Sequence, residues 1–437
     1  MTVLTQCYYQ SMQSKMTKQK PHIALMPTAG MGHLTPFLRL ASKLLSLNCN
    51  VSIITGRPFL TAAEDKHFSS FVSNYPQVSH SEYQIPPSDN IPGVDPFFLR
   101  YGAVSCLRSF HGGHCYVSCF RAPSFLPTLM SQPETLNATS SFVEIPGLGP
   151  FDIMSMPRAF IMPNHYISKF TVSRALGFTK PTGLIFNSFE SFEKETVSAL
   201  NNGKVLSALP PCIPIGPLED CQMESSDRSL YLDWLDMQEK ESVVYVNFGS
   251  RTAMSREMIR ELGEGLENSG FRFLWVIKTS KIDLEEKEEL GNVLGVDFME
   301  RVKGKGLILK DWVVQIEILS HQSIGGFFSH CGWNSVMEAA IRGIPVLAWP
   351  LHGDQRGNAE VMEKAGLGLM ERSWGFGLEK LVSGHEIGAM VRKIMTDRDL
   401  RRRAKEVKEE ALKAIGESHK NIVDRLMEGN SSSSCCR

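Results

Sequence analysis

A chain of 437 residues, 42% hydrophobic and 21% charged, is long enough for two folded domains and balanced enough to be globular. A net charge of −1 and a pI near 6.9 give no electrostatic basis for binding a nucleic acid or a membrane surface, and no run of about 18 apolar residues marks a membrane span. Ten irregularly spaced cysteines fit reduced thiols rather than a disulfide framework. With no apolar signal core in residues 1–20, the expected location is the cytoplasm.

Residues 1–20 are expected to be a disordered leader. His22–Pro27 reads as the first strand, Thr28–Gly32 as a small-residue loop and Asn50–Thr55 as a second strand. His33–Leu47 between them reads as a helix, because positions 34, 37, 38, 40, 41, 44 and 45 are apolar. Gly30-x-Gly32 lacks the later glycine of a dinucleotide fingerprint, so a nicotinamide site is rejected. His33 opens the helix, where the positive dipole end favours a neutral imidazole able to take a proton from an acidic hydroxyl near pH 7.

In residues 102–124, His111, His114, Cys115 and Cys119 have spacings a metal could use, with Cys106 close by. Paired C-x-x-C or H-x-x-x-H elements are missing, so no metal is expected. Phe142–Pro150 is turn-rich, Ile167–Leu176 helical, Gly183–Ser188 a strand and Phe189–Leu200 a helix. Prolines 210, 211, 214 and 217 close a first domain spanning 21–218, and 219–241 reads as a linker.

The second domain, 242–414, opens with the strand Ser242–Phe248 running into Gly249-Ser250. A helix capped by Ser255 and stopped by Gly270 follows, then the strand Phe271–Lys278. Lys278–Glu289 is charged and exposed, and Leu307–Lys310 is apolar. Ile324–Phe328 is a buried strand, Ser329–Gly332 a turn, and Trp333–Ile341 a helix stopped by Gly343. Ile344–Trp349 is the next strand, closed by Pro350. Helices are expected over 356–365, 384–396 and 399–415, a final helix over 415–430 returning to the first domain, and a disordered tail over 431–437. Strands alternating with helices in both halves predict an α/β protein of two doubly wound, Rossmann-like domains facing a cleft.

In such sheets ligands bind where strand carboxyl ends meet helix amino ends. Asn334 and Ser335 fall in the first turn after the 324–328 strand, and Glu338 lies one turn deeper on the same face as Asn334. That spacing fits a phosphate at the helix tip and a ribose hydroxyl pair on the carboxylate. Ser250, at another strand's carboxyl end, could donate to a diphosphate oxygen.

Trp312, Gln315, Leu319, His321, Phe327, His330-Cys331-Gly332-Trp333-Asn334-Ser335, Glu338, Gly343, Pro345, Pro350 and Asp354-Gln355 stand in an order that resembles the donor-binding signature of plant UDP-dependent glycosyltransferases. The resemblance implies the GT-B fold and a nucleotide-sugar site. It places Trp312 on uracil with Val313 beside it, Gln315 on base or ribose, and Glu338 on the ribose hydroxyls. His330, Asn334 and Ser335 fall to the diphosphate, with His330 helping to balance its charge, and Asp354 and Gln355 to the sugar hydroxyls; Trp333 is counted among the donor-binding residues, with core packing as its ordinary alternative. Gln355 points to glucose. The segment PHIALMPTAGMGHLTPFLRLA is similar to the family's amino-terminal start and implies that His33 is the general base acting on the acceptor. DPFFLRY at 95–101, SFVEIPGLGP at 141–150 and NFGSRTAMSREMIRELGEGL at 247–266 most resemble the flavonoid C-glycosyltransferase branch, which joins glucose to an aromatic carbon beside phenolic hydroxyls. No cofactor or metal is implied. The implied partners are UDP-glucose and a small polyphenol, and a monomer is expected.

One stretch departs from the family pattern. An aspartate in the amino-terminal domain orients the base histidine in these enzymes, yet no acidic residue stands between Asp95 and Glu134, and 102–124 does not resemble the family. The amino-terminal domain reads as shortened, with Asp89, Asp95 and Asp152 as weak substitutes. Three outcomes stay open: transfer to an aromatic carbon, O-glucosylation of a phenol, or an impaired relative that binds UDP-sugar without turnover.

Overall fold

The computed structural model describes residues 20–27, 30–57, 61–84, 115–118, 142–153, 179, 183–221, 229–249, 254–278, 289–375, 377 and 380–431, with backbone alone at 115–118 and 418–431. Outside the described residues lie the expected leader up to 19, Asp89 and Asp95, all of 102–124 except 115–118, and the 167–176 helix. Ser250, most of 278–289 and the tail from 432 lie outside them too. The chain forms two compact units, one of residues 1–60 and 64–106, the other of 61–63 and 107–437. This division falls earlier than the expected linker at 219–241.

In the first unit, β1 (His22–Leu25), β2 (Asn50–Arg57) and β3 (Ser79–Gln84) form a parallel sheet in that order. The helix Met31–Ser46 connects β1 to β2 and buries Leu34, Phe37, Leu38, Leu40, Ala41 and Leu44, the stripe expected from the apolar spacing. The helix Ala62–Asn74 and β3 lack a clear apolar period. They are held by Phe68 and Phe71, both buried.

In the second unit, β4 (Cys115–Ser118), β7 (Gly183–Phe186) and β8 (Cys212–Pro214) form a small parallel sheet, ordered β4-β7-β8. Between them in sequence, β5 (Phe142–Ile145) and β6 (Gly149–Asp152) form an antiparallel hairpin. The helix Lys194–Asn201 begins later than expected. Phe189 and Phe192 before it are turn residues buried in the neighbouring core. The expected linker is partly folded: Leu230–Asp236 is a helix whose Tyr231 and Leu235 enter that same core.

The larger sheet comprises β9 (Val243–Asn247), β10 (Arg272–Val276), β11 (Gly306–Leu309), β12 (Ile324–Ser329), β13 (Val346–Ala348) and β14 (Gly368–Met370). It is parallel throughout, in the order β11-β10-β9-β12-β13-β14. Both faces are covered, which explains the near-continuous apolar strands. Val243 and Tyr245 of β9 enter one core while Val244 and Val246 enter the other. Phe327 and Phe328 of β12 divide the same way, each burial stabilising the fold by about 1.5–3 kcal/mol. Ser255 caps the helix Arg256–Ser269 by accepting from the Met258 N–H at 3.2 Å, and Ser383 with Glu386 forms a capping box on Gly384–Thr396. The two charged segments expected as separate terminal helices are one continuous helix, Arg398–Ser431. Among the described residues no helix is long and apolar enough to cross a membrane.

Strand order runs outward from β9 in both directions, toward β10 on one side and β12 on the other. The carboxyl ends of β9 and β12 therefore flank the switch point, where open α/β sheets leave a crevice for ligands.

Candidate active site

Three loops meet at that switch point. The β9 end carries Asn247 and Gly249, the β12 end carries His330–Gly332 and the helix Trp333–Arg342, and Trp312–Gln315 follows β11. The helix begins without a side-chain cap, so its first turn offers main-chain N–H groups and the positive dipole end toward an anion. Cys331, just before it, has φ 61, a left-handed conformation that non-glycine residues seldom adopt. Two partners hold it there. Ser329 Oγ accepts from the Cys331 N–H at 3.1 Å, and Asn358 Nδ2 donates to the Cys331 carbonyl at 3.0 Å.

His330 is boxed by glycines. A Cβ on Gly332 would lie 2.6 Å from His330 Nε2, and one on Gly249, which also has φ +79, would lie 2.8 Å away. Burial first, and the neighbouring His352 second, push the imidazole pKa down to about 3, against the opposing effect of the Asn247 main-chain carbonyl, which accepts a hydrogen bond from the ring. His330 is thus neutral at pH 7 and does not carry the positive charge expected to balance a diphosphate. Its Nδ1 is buried without a protein partner.

A polar network ties Trp312–Gln315 to the helix. Gln315 Nε2 donates to Glu338 Oε2 at 2.7 Å and to Ser335 Oγ at 3.0 Å. Gln315 Oε1 accepts from Asn247 Nδ2 at 2.9 Å and from the Tyr245 hydroxyl at 3.3 Å. Both ends of the Gln315 amide therefore have protein partners, and its NH₂ is directed at Glu338. Glu338 and Ser335 are buried, Asn334 half-buried, and the Trp312 ring 57% exposed, which leaves that indole open for stacking. The loop bearing Trp312 is anchored by Tyr231, whose hydroxyl accepts from the Val314 N–H at 3.3 Å and donates to Glu317 at 2.9 Å.

Three expected contact residues have their side chains engaged elsewhere. Val313 is buried in the core, so only its backbone faces the loop. Trp333 donates its indole N–H to the Asn187 carbonyl at 2.6 Å and meets Phe192 edge-on. It is a strut between the two sheets, and its main chain alone lies at the helix tip. Gln355 Oε1 accepts from the Leu351 and His352 N–H groups at 2.9 and 3.0 Å; that oxygen closes the loop after β13. Asp354 beside it is exposed. Tyr245, Asn247, Gly249 and Asn358 were not singled out from sequence. The one available signal was a polar residue, Asn247, ending an otherwise apolar strand.

His33 lies in the first unit. It is half-buried in the first turn of Met31–Ser46, its N–H donating to the Gly30 carbonyl at 2.9 Å. Gly30, with φ 108, is the helix's N-cap, and its own N–H donates to the buried carboxylate of Glu64. That fixed turn sets where His33 leaves the backbone.

A switch-point site with a carboxylate one turn below an anion-attracting helix tip, and an open indole nearby, defines a nucleotide-binding α/β protein. The model of the family described as UDP-glucoronosyl and UDP-glucosyl transferase matches residues 211–377. UDP-glycosyltransferase 708C1 of Fagopyrum esculentum is 45% identical over 91% of this chain and 92% of its own length. UDP-glycosyltransferase CGT of Oryza sativa subsp. indica is 38% identical over 94% and 97%. The crystal structure of LpCGTa in complex with UDP superposes with a TM-score of 0.80 at 36% identity, covering 95% of this chain and all of that one. The chain belongs to the plant family 1 UDP-glycosyltransferases and has their GT-B fold. It is accordingly a transferase of glycosyl groups from a UDP-sugar to an acceptor.

Proposed function

We propose that this enzyme transfers glucose from UDP-glucose to an aromatic carbon of a small polyphenol, with inversion at the sugar carbon and without a metal. The observation that carries the donor half is the arrangement of Glu338, held by Gln315, beside the open Trp312 indole. For the acceptor half, relatives named UDP-glycosyltransferase CGT support carbon as the point of attachment, together with the stretches at 95–101, 141–150 and 247–266. His33 takes the phenolic proton, which shifts electron density to the ortho carbon. That carbon forms a bond to C1 of glucose as the C1–oxygen bond breaks and its electron pair leaves with UDP. Loss of the ring proton then restores aromaticity. Trp312 stacks on uracil, Glu338 holds the ribose, and the helix tip with Asn334 and Ser335 meets the diphosphate. Asp354 and Gln355 face the sugar.

A second reading has one observation in its favour. No acidic residue stands between Asp95 and Glu134, the region where the family carries an orienting aspartate, and on this reading the protein would bind UDP-sugar without turning over. Incubating the purified protein with UDP-glucose and a trihydroxyphenyl ketone, then analysing by mass spectrometry, separates the readings. The expected product is a hexose adduct that survives acid hydrolysis. An acid-labile adduct would move the enzyme to O-transfer, and no adduct beside an active control would leave donor binding alone.

A further inference from the structure

We infer that Asn247 is the residue that sets the donor site, a positioning group joining the ribose end to the diphosphate end; this rests on the donor-site reading above. Its side chain has one acceptor and two donor hydrogens, and all three are used. Oδ1 accepts from the Gly249 N–H at 2.9 Å, while Nδ2 donates to Gln315 Oε1 at 2.9 Å and to the Tyr245 hydroxyl at 2.8 Å.

The consequence is directional. Gln315 can point its NH₂ at Glu338 and Ser335 only while its carbonyl faces donors. A carboxamide carbonyl turned toward the Glu338 carboxylate would instead repel it. Asn247 and the Tyr245 hydroxyl are the two donors in contact with that carbonyl, and Tyr245 itself receives a hydrogen from Asn247. Tyr245 is wholly buried, and burial drives its pKa far up, so it remains a neutral hydroxyl. On its other side Asn247 ties down Gly249, whose backbone walls the His330 ring. One amide thus fixes both the carboxylate that meets the ribose and the glycine that shapes the phosphate turn. A half-buried network in which both amides are engaged at both ends has few alternative arrangements.

Asn247→Asp and Asn247→Leu are the informative pair: Asp keeps an oxygen to accept from Gly249 but replaces the donor with a negative charge, and Leu removes the donor without adding charge, so an effect common to both belongs to the lost donor. UDP binding measured by calorimetry is expected to weaken about tenfold or more in both, since the Gln315 carbonyl is left facing a second acceptor, or an apolar group, in a half-buried site. KM for UDP-glucose should rise in step, with KM for the acceptor unchanged. On a Gln315→Ala background the same substitutions should have little further effect on UDP affinity, because Asn247 acts through Gln315. Equal UDP affinity of wild type and either folded variant would overturn the inference. So would an undiminished effect in the double variants, or an equal rise in acceptor KM, either of which marks a general packing role. A wild type that binds no UDP would overturn the donor-site reading itself and this inference with it.

Discussion

His33 and His330 stand at the same kind of place, the turn from a parallel strand into a helix, one in each unit, and their surroundings differ. The His330 ring is half-buried, as His33 is, but glycine backbone packs against it. Gly249 and Gly332 wall the ring, Asn358 and Ser329 fix Cys331, and burial drives the imidazole neutral. The His33 turn is held by Glu64 on the Gly30 N–H and by the His33 and Leu34 main-chain N–H groups on the Gly30 carbonyl, and the His33 side chain is half-buried. A turn that meets the same diphosphate in every cycle gains from rigidity, because preorganised dipoles need no rearrangement when charge arrives. The base role proposed for His33 requires exchange of a proton with acceptor hydroxyls, which a ring held neutral and packed against glycine backbone is less suited to do.

The largest effect expected from this contrast is at His33. His33→Ala should lower kcat about a hundredfold or more while leaving UDP affinity unchanged, as measured by steady-state kinetics and calorimetry on the same preparation. Undiminished kcat would remove the base from the first unit and dissolve the comparison.

Most of the second unit was legible in sequence because its strands are continuous apolar runs punctuated by reliable stops. Ser255 and Gly343 bound their helices as expected, and the signature from Trp312 to Gln355 located the site. What could not be read is where side chains point. Gln315 and Glu338 were both named, but their hydrogen bond depends on Asn247 and Tyr245, about seventy residues earlier in the chain. Sequence distance says nothing of β9 lying beside β12. Nothing in the residue pattern signalled that the Trp333 indole bridges to Asn187 or that the Gln355 oxygen closes the loop after β13. β3, SHSEYQ, has no apolar alternation to betray it, and β14 has only three residues. The helix Leu230–Asp236 was hidden in a stretch polar enough to resemble a linker.

The two turns can also be compared through glycine. Gly332→Ala forces a Cβ to 2.6 Å from the His330 ring, whereas at Gly32, in the first turn of the His33 helix, a Cβ meets nothing within 4 Å. Gly332→Ala should therefore cost about 1–3 kcal/mol of stability, the usual range for overpacking, and weaken UDP binding as the phosphate turn shifts. Gly32→Ala should change stability by no more than about 0.5 kcal/mol. Urea unfolding of both variants checks this, and equal costs would mean that the His330 box yields as easily as open solvent.

The smallest effect concerns pH. In the folded chain His330 takes up a proton only near pH 3, far below the ordinary imidazole value of 6.5. Between those values the unfolded chain binds a proton that the folded chain does not, so stability is fully present above about pH 6.5 and is lost as pH falls toward 3. His67 and His80, also held low mainly by burial, act in the same direction, so wild type alone cannot assign the loss. Comparing wild type with His330→Asn does, because the other two contribute equally to both. Urea midpoints at about pH 7 and about pH 5 should fall further for wild type than for His330→Asn. Parallel falls would mean that the His330 ring is charged as readily as an exposed one. The glycine-walled turn would then be open to water, and the two histidines would differ in position alone.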